Sequence, residues 1–510
     1  MINDVDVINR LITEHSTDNN GRKQFIDTII SEWKQSDRLK LMFTSQRYYE
    51  NRNEEIDKSK RVVIGRGQDN NPIQMESFLL ANNKLYHPFI KKLVKQKLAY
   101  LLGKPFTFSS IKAEDETANV MFSEVNDMLG KLFHRKLINT CRDAIVKTLG
   151  WMQVFYDEEG SLQFKRVPPE EVIPLWKDSD HTVLDAVIRY YGIDIYEGGK
   201  KTTKYYVEMY DLTGVYFYTY TDGGKLEVDT TRGVNGVAGH FQNKTINPET
   251  GKEEVVYANW ARIPWIPFKY DADEDCILNR VKSLIDNYDK MTSNNANAVE
   301  DFPNAITVVK NYDGSNKEEF VHNKNMYRTI FVQGEGDAKS LETPLDIENV
   351  DKHIERLRQD IYEFGQGVDT QNKDIRDTSG VALRFLYADL DLDCVGWSIE
   401  VEASITQLVW FVLVDIKNRT GKDYMDVRYN IIFNRDMIVN ETETITNCQT
   451  SVGIVSDETV IANHPWTKEV KKEIENIVAD KKRDMELENS FVDNYGTGES
   501  GTGEEEATND

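Results

Sequence analysis

The sequence predicts an α+β protein with a helical and sheet-rich first half and a mainly helical second half. Apolar residues recur at helical spacing through most of residues 1–149, and the period changes to two over residues 150–272. Helical spacing returns after residue 272, interrupted by a short strand-like insert at 303–346. Separate helix-rich and strand-rich regions are typical of α+β architecture.

Bulk composition narrows the classes of function. The 510 residues are 39% hydrophobic and 29% charged, and the formal net charge is -24. A protein that grips DNA over a broad face is normally basic, so this charge argues against a repressor or a nuclease that wraps its substrate. It remains compatible with a protein that surrounds DNA without holding it.

Cysteine spacing and hydropathy argue against disulfide-rich, zinc-binding, secreted and membrane-spanning proteins. The four cysteines are widely spaced and form no CxxC pair, so the sequence predicts neither a disulfide framework nor a zinc site, and free thiols in a reducing cytosol are expected. The N-terminal residues have no signal-peptide pattern. The most apolar window, LVWFVLVDI at 408–416, is shorter than the roughly 20 residues that span a bilayer, so we expect a buried helix.

The first 149 residues are predicted to be mostly helical. One helix lies within RKQFIDTIISEWKQSDRLKLMFTSQRYYENR, and another covers NKLYHPFIKKLVKQKLAYLLGKPFTF until Gly103 and Pro105 stop it. A third is expected at 116–149. The stripe of the second helix comprises Phe89, Leu93, Leu98, Leu101 and Leu102. Over 150–272 the Tyr- and Val-rich alternation predicts an antiparallel sheet, including a hairpin in WMQVFYDEEGSLQFKRV with its turn at DEEGS.

Two helices are predicted to bracket the insert, at 273–302 and 347–365. The second has a heptad-like seam, formed by Ile347, Val350, Ile354, Leu357, Ile361 and Phe364. A polar loop at 366–378 then leads into a long helix at 379–420, capped by Thr378 or Ser379, kinked at Gly396 and ended by Gly421. Its apolar stripe is Leu383, Leu386, Leu390, Trp397, Val401, Ile405, Leu408, Val412 and Ile416. A strand within 421–439, helices over 440–486 and a disordered acidic tail at 487–510 complete the chain.

Candidate chemical motifs are weak. The stretch DLDLDCVGWSIE places carboxylates at calcium-loop positions, but Cys394 stands where such a loop needs glycine, and an acidic helix face explains the pattern better. The acidic run DADED, Asp271 to Asp275, is explained by the start of the following helix. No GxGxxG, P-loop, GxSxG or HExxH motif occurs, and the sequence indicates no cofactor. The insert is locally basic, and a solvated face is the default explanation for its charges, which are carried by Lys310, Lys317, Lys324 and Arg328.

The order of the regions and several stretches resemble the portal (head–tail connector) proteins of tailed bacteriophages, of the type found in siphophages of Gram-positive hosts. The resemblance spans about residues 80–461 and rests on NKLYHPFIKKLVKQKLAYLLGKPF, GWMQVFYDEEGSLQFKRVPPEEVIPLW, SLIDNYDKMTSNNANAVEDF, DTSGVALRFLYADLDL and FNRDMIVNETETITNCQTSVGIVSDETVI. It implies a virion protein without enzymatic activity, assembled in the host cytoplasm into a ring, usually of twelve subunits, around a DNA channel at one capsid vertex. The implied partners are terminase, scaffold or major capsid protein and head-completion proteins, with no membrane.

The resemblance also implies a role for each region. Residues 1–272 would be the wing (helical 1–149, sheet-rich 150–272), to which the strand in 421–439 returns. The helices at 273–302 and 347–365 would be the stem, 303–346 a small α/β clip that docks partners through its basic residues, and 440–486 the crown. The tunnel loop, 366–378, would face the channel with Gln371, Asn372, Lys373, Asp374 and Arg376, of which Lys373 and Arg376 are candidates for transient phosphate contacts.

The long helix, 379–420, would line or support the channel. Asp389, Asp391 and Asp393 are its candidate wall residues, although positions two apart on a helix point in different directions. Two other functions remain open on the residues alone. One is a metal-dependent cytosolic nuclease that uses the carboxylates of 271–275 or 389–400, and the other is a capsid scaffold protein that forms no channel.

Overall fold

A computed structural model provides the fold. It describes residues 19–66, 72–77, 80–112, 115–221, 223–246, 253–301, 307–310, 329–332, 347–371, 385–435, 441–467 and 470–495. The chain divides into two compact units. The first comprises Met1–Thr370 with Tyr387–Asp436, and the second comprises Gln371–Leu386 with Met437–Asp510.

Helices occur before and after the sheet region and again near the end of the chain. Before the sheets they are α1 (Asn19–Gln35), α2 (Asp37–Tyr49), α3 (Glu54–Asp57), α4 (Phe89–Leu102), α5 (Glu116–Leu129) and α6 (Phe133–Lys147). After the sheets they are α7 (Ile277–Asp301), α8 (Ile347–Phe364) and α9 (Ala388–Thr420), followed in the second unit by α10 (Glu441–Ser451), α11 (Asp457–Asn463) and α12 (Val470–Tyr495). Within the described ranges, none of these helices is both long and apolar enough to cross a membrane.

Most strands lie between α6 and α7. They are β1 (Val62–Arg66), β2 (Pro72–Glu76), β3 (Thr107–Ser110), β4 (Leu149–Tyr156), β5 (Leu162–Val167), β6 (Val172–Trp176), β7 (Leu184–Glu197), β8 (Lys200–Asp211), β9 (Gly214–Tyr220), β10 (Leu226–Val228), β11 (Val237–Ala238), β12 (Phe241–Ile246), β13 (Glu253–Ala258), β14 (Trp265–Lys269), β15 (Thr307–Lys310), β16 (Thr329–Val332) and β17 (Tyr429–Ile432).

Every ladder among the described strands except the one in the insert is antiparallel, which confirms the predicted mixture of helices and antiparallel sheet. The largest has the order β10-β9-β8-β7-β6, with β11 also pairing with β9, and a second has the order β14-β4-β5. The predicted hairpin at 151–167 is present as β4 and β5, in which Tyr156 pairs with Leu162 across the turn. In the insert, β15 and β16 form a parallel ladder from Thr307↔Thr329 to Lys310↔Val332.

The main core of the first unit forms between α9, α4, α6, the start of α7 and the β14-β4-β5 sheet. The predicted stripe of α9 is buried there from Leu390 through Ile416. The helix runs without interruption through Gly396 and ends at Gly421, whose φ of 75° only glycine adopts freely. The strand predicted after it is β17, which pairs with β3.

Some predicted boundaries are wrong. The helix expected at 116–149 is two helices, because Gly130 adopts a φ of 70° and ends α5, and the chain enters β4 at Leu149. The region expected to be helical also contains β1, β2 and β3. Near the C-terminus α12 continues through Tyr495, past the predicted helix end at residue 486, whereas 496–510 lie outside the described residues.

Candidate functional site at the two ends of the 366–378 loop

The chain that leads into the loop is held by a side chain of α4. Gln96 Nε2 donates to the carbonyl oxygen of Val368 at 2.7 Å, and Gln96 Oε1 accepts from the Val368 N–H at 3.1 Å. A primary amide that pairs with both groups of one residue satisfies the backbone as a neighbouring strand would. The side chain of Val368 is buried in the main core. The leading end of the loop is therefore fixed at Val368.

Lys97 bonds to residues on the two sides of the loop. Its Nζ donates to the Gln366 carbonyl oxygen at 3.0 Å, before the loop, and to Asp393 Oδ2 at 2.6 Å, on the helix after it. The side chain of Lys97 has 0% exposure. Burial lowers the pKa of Lys97, and the charge of Asp393 opposes that shift. One buried ammonium thus connects residues on both sides of the loop.

Arg280 and Tyr270 complete the cluster around Asp393. Arg280 Nη1 donates to Asp393 Oδ1 at 2.9 Å and to the side-chain oxygen of Gln366 at 2.7 Å. The Tyr270 hydroxyl donates to Asp393 Oδ2 at 2.7 Å, and burial raises the pKa of this tyrosine well above its usual value. The Asp393 carboxylate therefore accepts from Lys97, Arg280 and Tyr270. A buried charge that is paired and hydrogen-bonded in this way is tolerated.

Glycines allow the chain to pass close to α4. A Cβ on Gly367 would lie 2.3 Å from Leu93 Cδ2 of α4, and one on Gly365 would lie 2.7 Å from Leu93 Cδ1 of α4 and 2.5 Å from the Ile361 carbonyl oxygen of α8. Both positions therefore need glycine for close approach. Between them, Gln366 adopts a φ of 48°.

The chain that follows the loop is held through Asp391. Its Oδ1 accepts from the Tyr100 hydroxyl at 2.8 Å and from Arg435 Nη1 at 2.9 Å. Tyr387 stacks on Tyr100 with ring centroids 6.5 Å apart and planes 20° from parallel. On the leading side, Arg358 Nη2 contacts Asp369 Oδ1 at 2.6 Å. The residues up to Asp369 and those from Tyr387 onward are thus held within the first unit, mainly through α4.

The three predicted acidic residues of the long helix differ in exposure to solvent. Asp389 is exposed and Asp391 is partly exposed. Asp393 is only 7% exposed at its side chain and lies inside this chain, among its three donors. Residues 388–400 belong to one continuous helix, which agrees with the interpretation of DLDLDCVGWSIE as an acidic helix face in preference to a calcium loop. Among the described residues no group of three or more His, Cys, Asp or Glu side chains is placed to hold a metal ion.

Most other predicted site residues lie outside the described residues. In the loop Gln371 is exposed, whereas Asn372, Lys373, Asp374 and Arg376 lie outside them, as do the predicted caps Thr378 and Ser379. In the insert Lys310 ends β15, whereas Lys317, Lys324 and Arg328 lie outside. Their predicted roles stay predictions.

The anchoring residues Gln96, Lys97 and Arg280 were missed from the sequence. One signal was available for Lys97, which stands between Leu93 and Leu101 at four-residue spacing on the buried face of α4. A lysine on an apolar stripe needs a buried partner. Nothing in the local sequence identifies Asp393 as that partner, because the two residues are 296 positions apart.

Comparison with known proteins places the chain in a family. The profile described as "Phage portal protein, SPP1 Gp6-like" matches residues 27–487. The chain belongs to this portal family. Portal proteins are structural proteins that form oligomeric rings at a capsid vertex, so the chain is a bacteriophage head–tail connector protein of the virion capsid.

Individual portal proteins match over most of their length. The portal protein of Bacillus phage SPP1 is 30% identical over 457 residues, covering 88% of this chain and 85% of that protein. The portal protein of Clostridium phage phiCD119 is 26% identical over 459 residues, covering 88% and 93%. A solved structure titled "Neck of empty GTA particle computed with C6 symmetry" matches with a TM-score of 0.33 and 11% identity, over 73% of this chain and 88% of that one.

Proposed function

We propose that this portal protein forms a ring, usually of twelve subunits, around the channel through which phage DNA is packaged and later ejected. The observation that carries the proposal is the continuous portal-family match over residues 27–487. It covers all but the first 26 residues of the region proposed as the wing, and the whole of those proposed as stem, clip, loop, long helix and crown. Assembly takes place in the host cytoplasm, and the finished ring occupies one capsid vertex.

Each region has a proposed task. The helices α7 and α8 contact each other, contribute Ile285 and Ile361 to the main core, and form the stem. The insert at 303–346 is the clip, which docks terminase and later the head-completion proteins, with Lys310, Lys317, Lys324 and Arg328 as its basic contacts. Residues 440–486 form the crown. Scaffold or major capsid protein surrounds the wing.

The 366–378 loop is the proposed tunnel loop. Gln96, Lys97 and Arg280 hold its leading side, and Lys97 also holds Asp393 on the helix that follows, which supports a segment mounted on a rigid base. Lys373 and Arg376 make transient contacts with DNA phosphates, while Gln371, Asn372 and Asp374 supply polar neighbours. Asp389, exposed on the following helix, fits an acidic wall that lowers affinity for DNA. Asp391 and Asp393 support the wall through their ion pairs.

The protein acts without catalysis in this proposal. ATP hydrolysis belongs to the terminase, and the ring contributes passage, docking and retention of DNA. The competing proposals are a metal-dependent nuclease and a capsid scaffold without a channel. Neither draws support from the relatives, which are both portal proteins.

Electron microscopy of the purified protein tests the proposal. Negative-stain images at a concentration that permits assembly should show rings with a central hole. Gel filtration at the same concentration should show a species many times the 58.9 kDa of one chain. A compact monomer that persists at high concentration, or a solid assembly without a hole, would overturn it.

Charge reversal in the loop tests the role of its basic residues. K373E and R376E should change DNA packaging or retention, because phosphate contacts would become repulsive, while rings still form. K290E, at an exposed position of α7, serves as a control for the added negative charge. Normal packaging and retention in both loop variants would contradict the role.

A further inference from the structure

One segment without regular secondary structure, residues 81–87, lies along the C-terminal half of α7. Its alternate backbone N–H groups donate to side chains that stand on one face of that helix. We call residues 81–87 the strap, and Asp289, Ser293, Asn297 and Asp301 the polar stripe. The four bonds are His87 N to Asp289 Oδ1 at 3.1 Å, Leu85 N to Ser293 Oγ at 3.0 Å, Asn83 N to Asn297 Oδ1 at 2.6 Å and Ala81 N to Asp301 Oδ1 at 3.0 Å.

The repetition follows from backbone geometry. Four residues of an α-helix advance about 6 Å along its axis, and two residues of an extended chain advance about 6.6 Å. A side-chain acceptor at every fourth helical position therefore meets every second N–H of a chain running the opposite way. The helix side chains satisfy donors that a β-sheet would otherwise satisfy through its backbone.

Additional bonds fasten the strap and the helix at their margins. Asn53 Nδ2 donates to Asp289 Oδ2 at 2.9 Å, and His87 Nδ1 lies 2.7 Å from Asp289 Oδ1. At the other end Asn83 Nδ2 donates to Glu300 Oε2 at 2.7 Å. Every one of these contacts is polar, so water can replace each of them.

The two halves of α7 are held by different forces. In the N-terminal half the buried residues are apolar, and Leu278 and Val281 are fully buried in the main core. In the C-terminal half Asp289, Ser293 and Asn297 are at most 5% exposed, and they bond to the strap. Opening the first half exposes apolar surface, which is costly in water. Opening the second half exposes polar groups that water solvates.

We infer that the strap is a releasable fastening for the C-terminal half of α7. The half from Asp289 to Asp301 separates from the strap as a local event while the apolar half stays in place. Because α7 ends at Asp301, two residues before the insert at 303–346 begins, release frees the helix end that leads into the insert. The inference concerns movement within this chain and holds whatever the insert binds.

Hydrogen exchange of the full-length protein tests the inference directly. The amides of Asn83, Leu85 and His87 should exchange through local opening, at least a hundredfold faster than the amide of Val281, and with little dependence on denaturant. Exchange of the strap amides at the rate and denaturant dependence of Val281 would show that they open only in global unfolding, and would overturn the inference.

Substitutions on the polar stripe sharpen the test. Asn297→Ala removes one acceptor and should speed exchange at Asn83 several-fold without altering Val281, and Asn297→Asp, which keeps an acceptor oxygen, should restore slow exchange. Val299→Ala, at a side chain 70% exposed on the same helix, is the matched control. If Asn297→Ala does not fold, Ser293→Ala makes the same test at Leu85. Equal effects on the strap and on Val281 would contradict a local fastening.

A reversible disulfide between the strap and the polar stripe tests whether the strap amides exchange through separation of the two. The pair Asn83→Cys and Asn297→Cys joins the strap to the stripe under oxidising conditions, and the four native cysteines are buried, which limits competing disulfides. The oxidised lock should slow strap exchange to the rate of Val281, and reduction should restore the fast rate. A formed disulfide that leaves strap exchange unchanged would rule out local opening as the route.

Discussion

Asp393 shows, at the scale of single residues, how one carboxylate can join distant parts of the chain. It accepts from Lys97 of α4, from Arg280 of α7 and from Tyr270 after β14. Removing any one donor leaves a buried charge with fewer partners, which lowers the free energy of unfolding strongly. Replacing a whole buried ion pair by well-packed apolar residues is, by contrast, often neutral. Such a group fixes geometry more than it adds stability.

Lys97→Met should lower the free energy of unfolding by about 3 kcal/mol, because Asp393 and the Gln366 carbonyl oxygen lose a buried donor. Denaturant titration measures the change. Lys95→Met, at an exposed position on the same helix, should change stability by less than about 0.5 kcal/mol. Equal effects of the two substitutions would mean that the ammonium of Lys97 has no anchoring role.

A second buried carboxylate, Glu274, makes stability depend on pH. Burial by itself would raise its pKa, but the hydrogen bond from His181 and the charges of Arg38 and Lys269 outweigh burial and lower the pKa from 4.5 to about 2. Its contacts are Arg38 Nη1 at 2.6 Å, His181 Nδ1 at 2.7 Å and Lys269 Nζ at 3.7 Å. The folded state therefore holds the ionised form.

The contribution of Glu274 should be complete above about pH 4.5 and should disappear as pH falls toward about 2, because its pKa is lower in the folded than in the unfolded state. The full contribution is about 3 kcal/mol. Glu274→Gln should flatten the fall in unfolding free energy across this window. Asp37→Asn, at an exposed ion pair with Lys40, is the control and should leave the slope nearly unchanged. A slope unaltered by Glu274→Gln would contradict the assignment.

At the scale of elements, α9 contains two glycines with opposite requirements. Gly421 follows the helix at a φ of 75°, where a side chain is strained. Gly396 lies inside the helix, and a Cβ there would meet no atom within 4 Å. Substitution by alanine should therefore change the free energy of unfolding in opposite directions at the two positions.

Gly396→Ala should raise the free energy of unfolding by about 0.5–1 kcal/mol, because alanine loses less backbone entropy on folding. Gly421→Ala should lower it by about 1 kcal/mol through strain at the helix end. Denaturant titration of both variants provides the measurement. Destabilisation by Gly396→Ala in the free chain would indicate that the predicted kink at this position is required.

At the scale of the whole molecule, the two units differ in how much they bury. The first contains the main core, whereas among the described residues of the second unit only Cys448 is a buried hydrophobic residue. A unit that buries so little apolar surface has low local stability by itself. In a ring-forming family, neighbouring subunits are the natural source of further burial.

Limited trypsin digestion of the free chain should therefore cut the second unit first, within 470–495, where Lys471, Lys481 and Arg483 are exposed. Assembly into rings should slow those cuts at least tenfold, while cuts in the first unit change little. Mass spectrometry of the fragments identifies the sites. First cleavage within α9 or β4, in either form, would contradict this order of stability.

Sequence patterns determined the elements whose periodicity is long and uninterrupted. The buried stripe of α9, the stripe of α4 and the antiparallel hairpin of β4 and β5 follow from apolar spacing and turn residues alone, because each depends on near neighbours. The sequence analysis missed the division between α5 and α6, because apolar spacing continues across Gly130. The positive φ of Gly130, which ends α5, leaves no mark in that spacing. Similarity over whole regions, more than any motif, indicated the portal family.

Tertiary structure alone decided which polar groups meet. Lys97 and Asp393, Gln96 and Val368, and Asn83 and Asn297 are separated by 296, 272 and 214 positions, and their contacts depend on how the helices pack. Local sequence fixes the face on which a side chain stands, but a charge or amide on that face has many possible partners. Packing of the apolar stripes selects one partner, so the anchored loop and the polar strap became visible only in the folded chain.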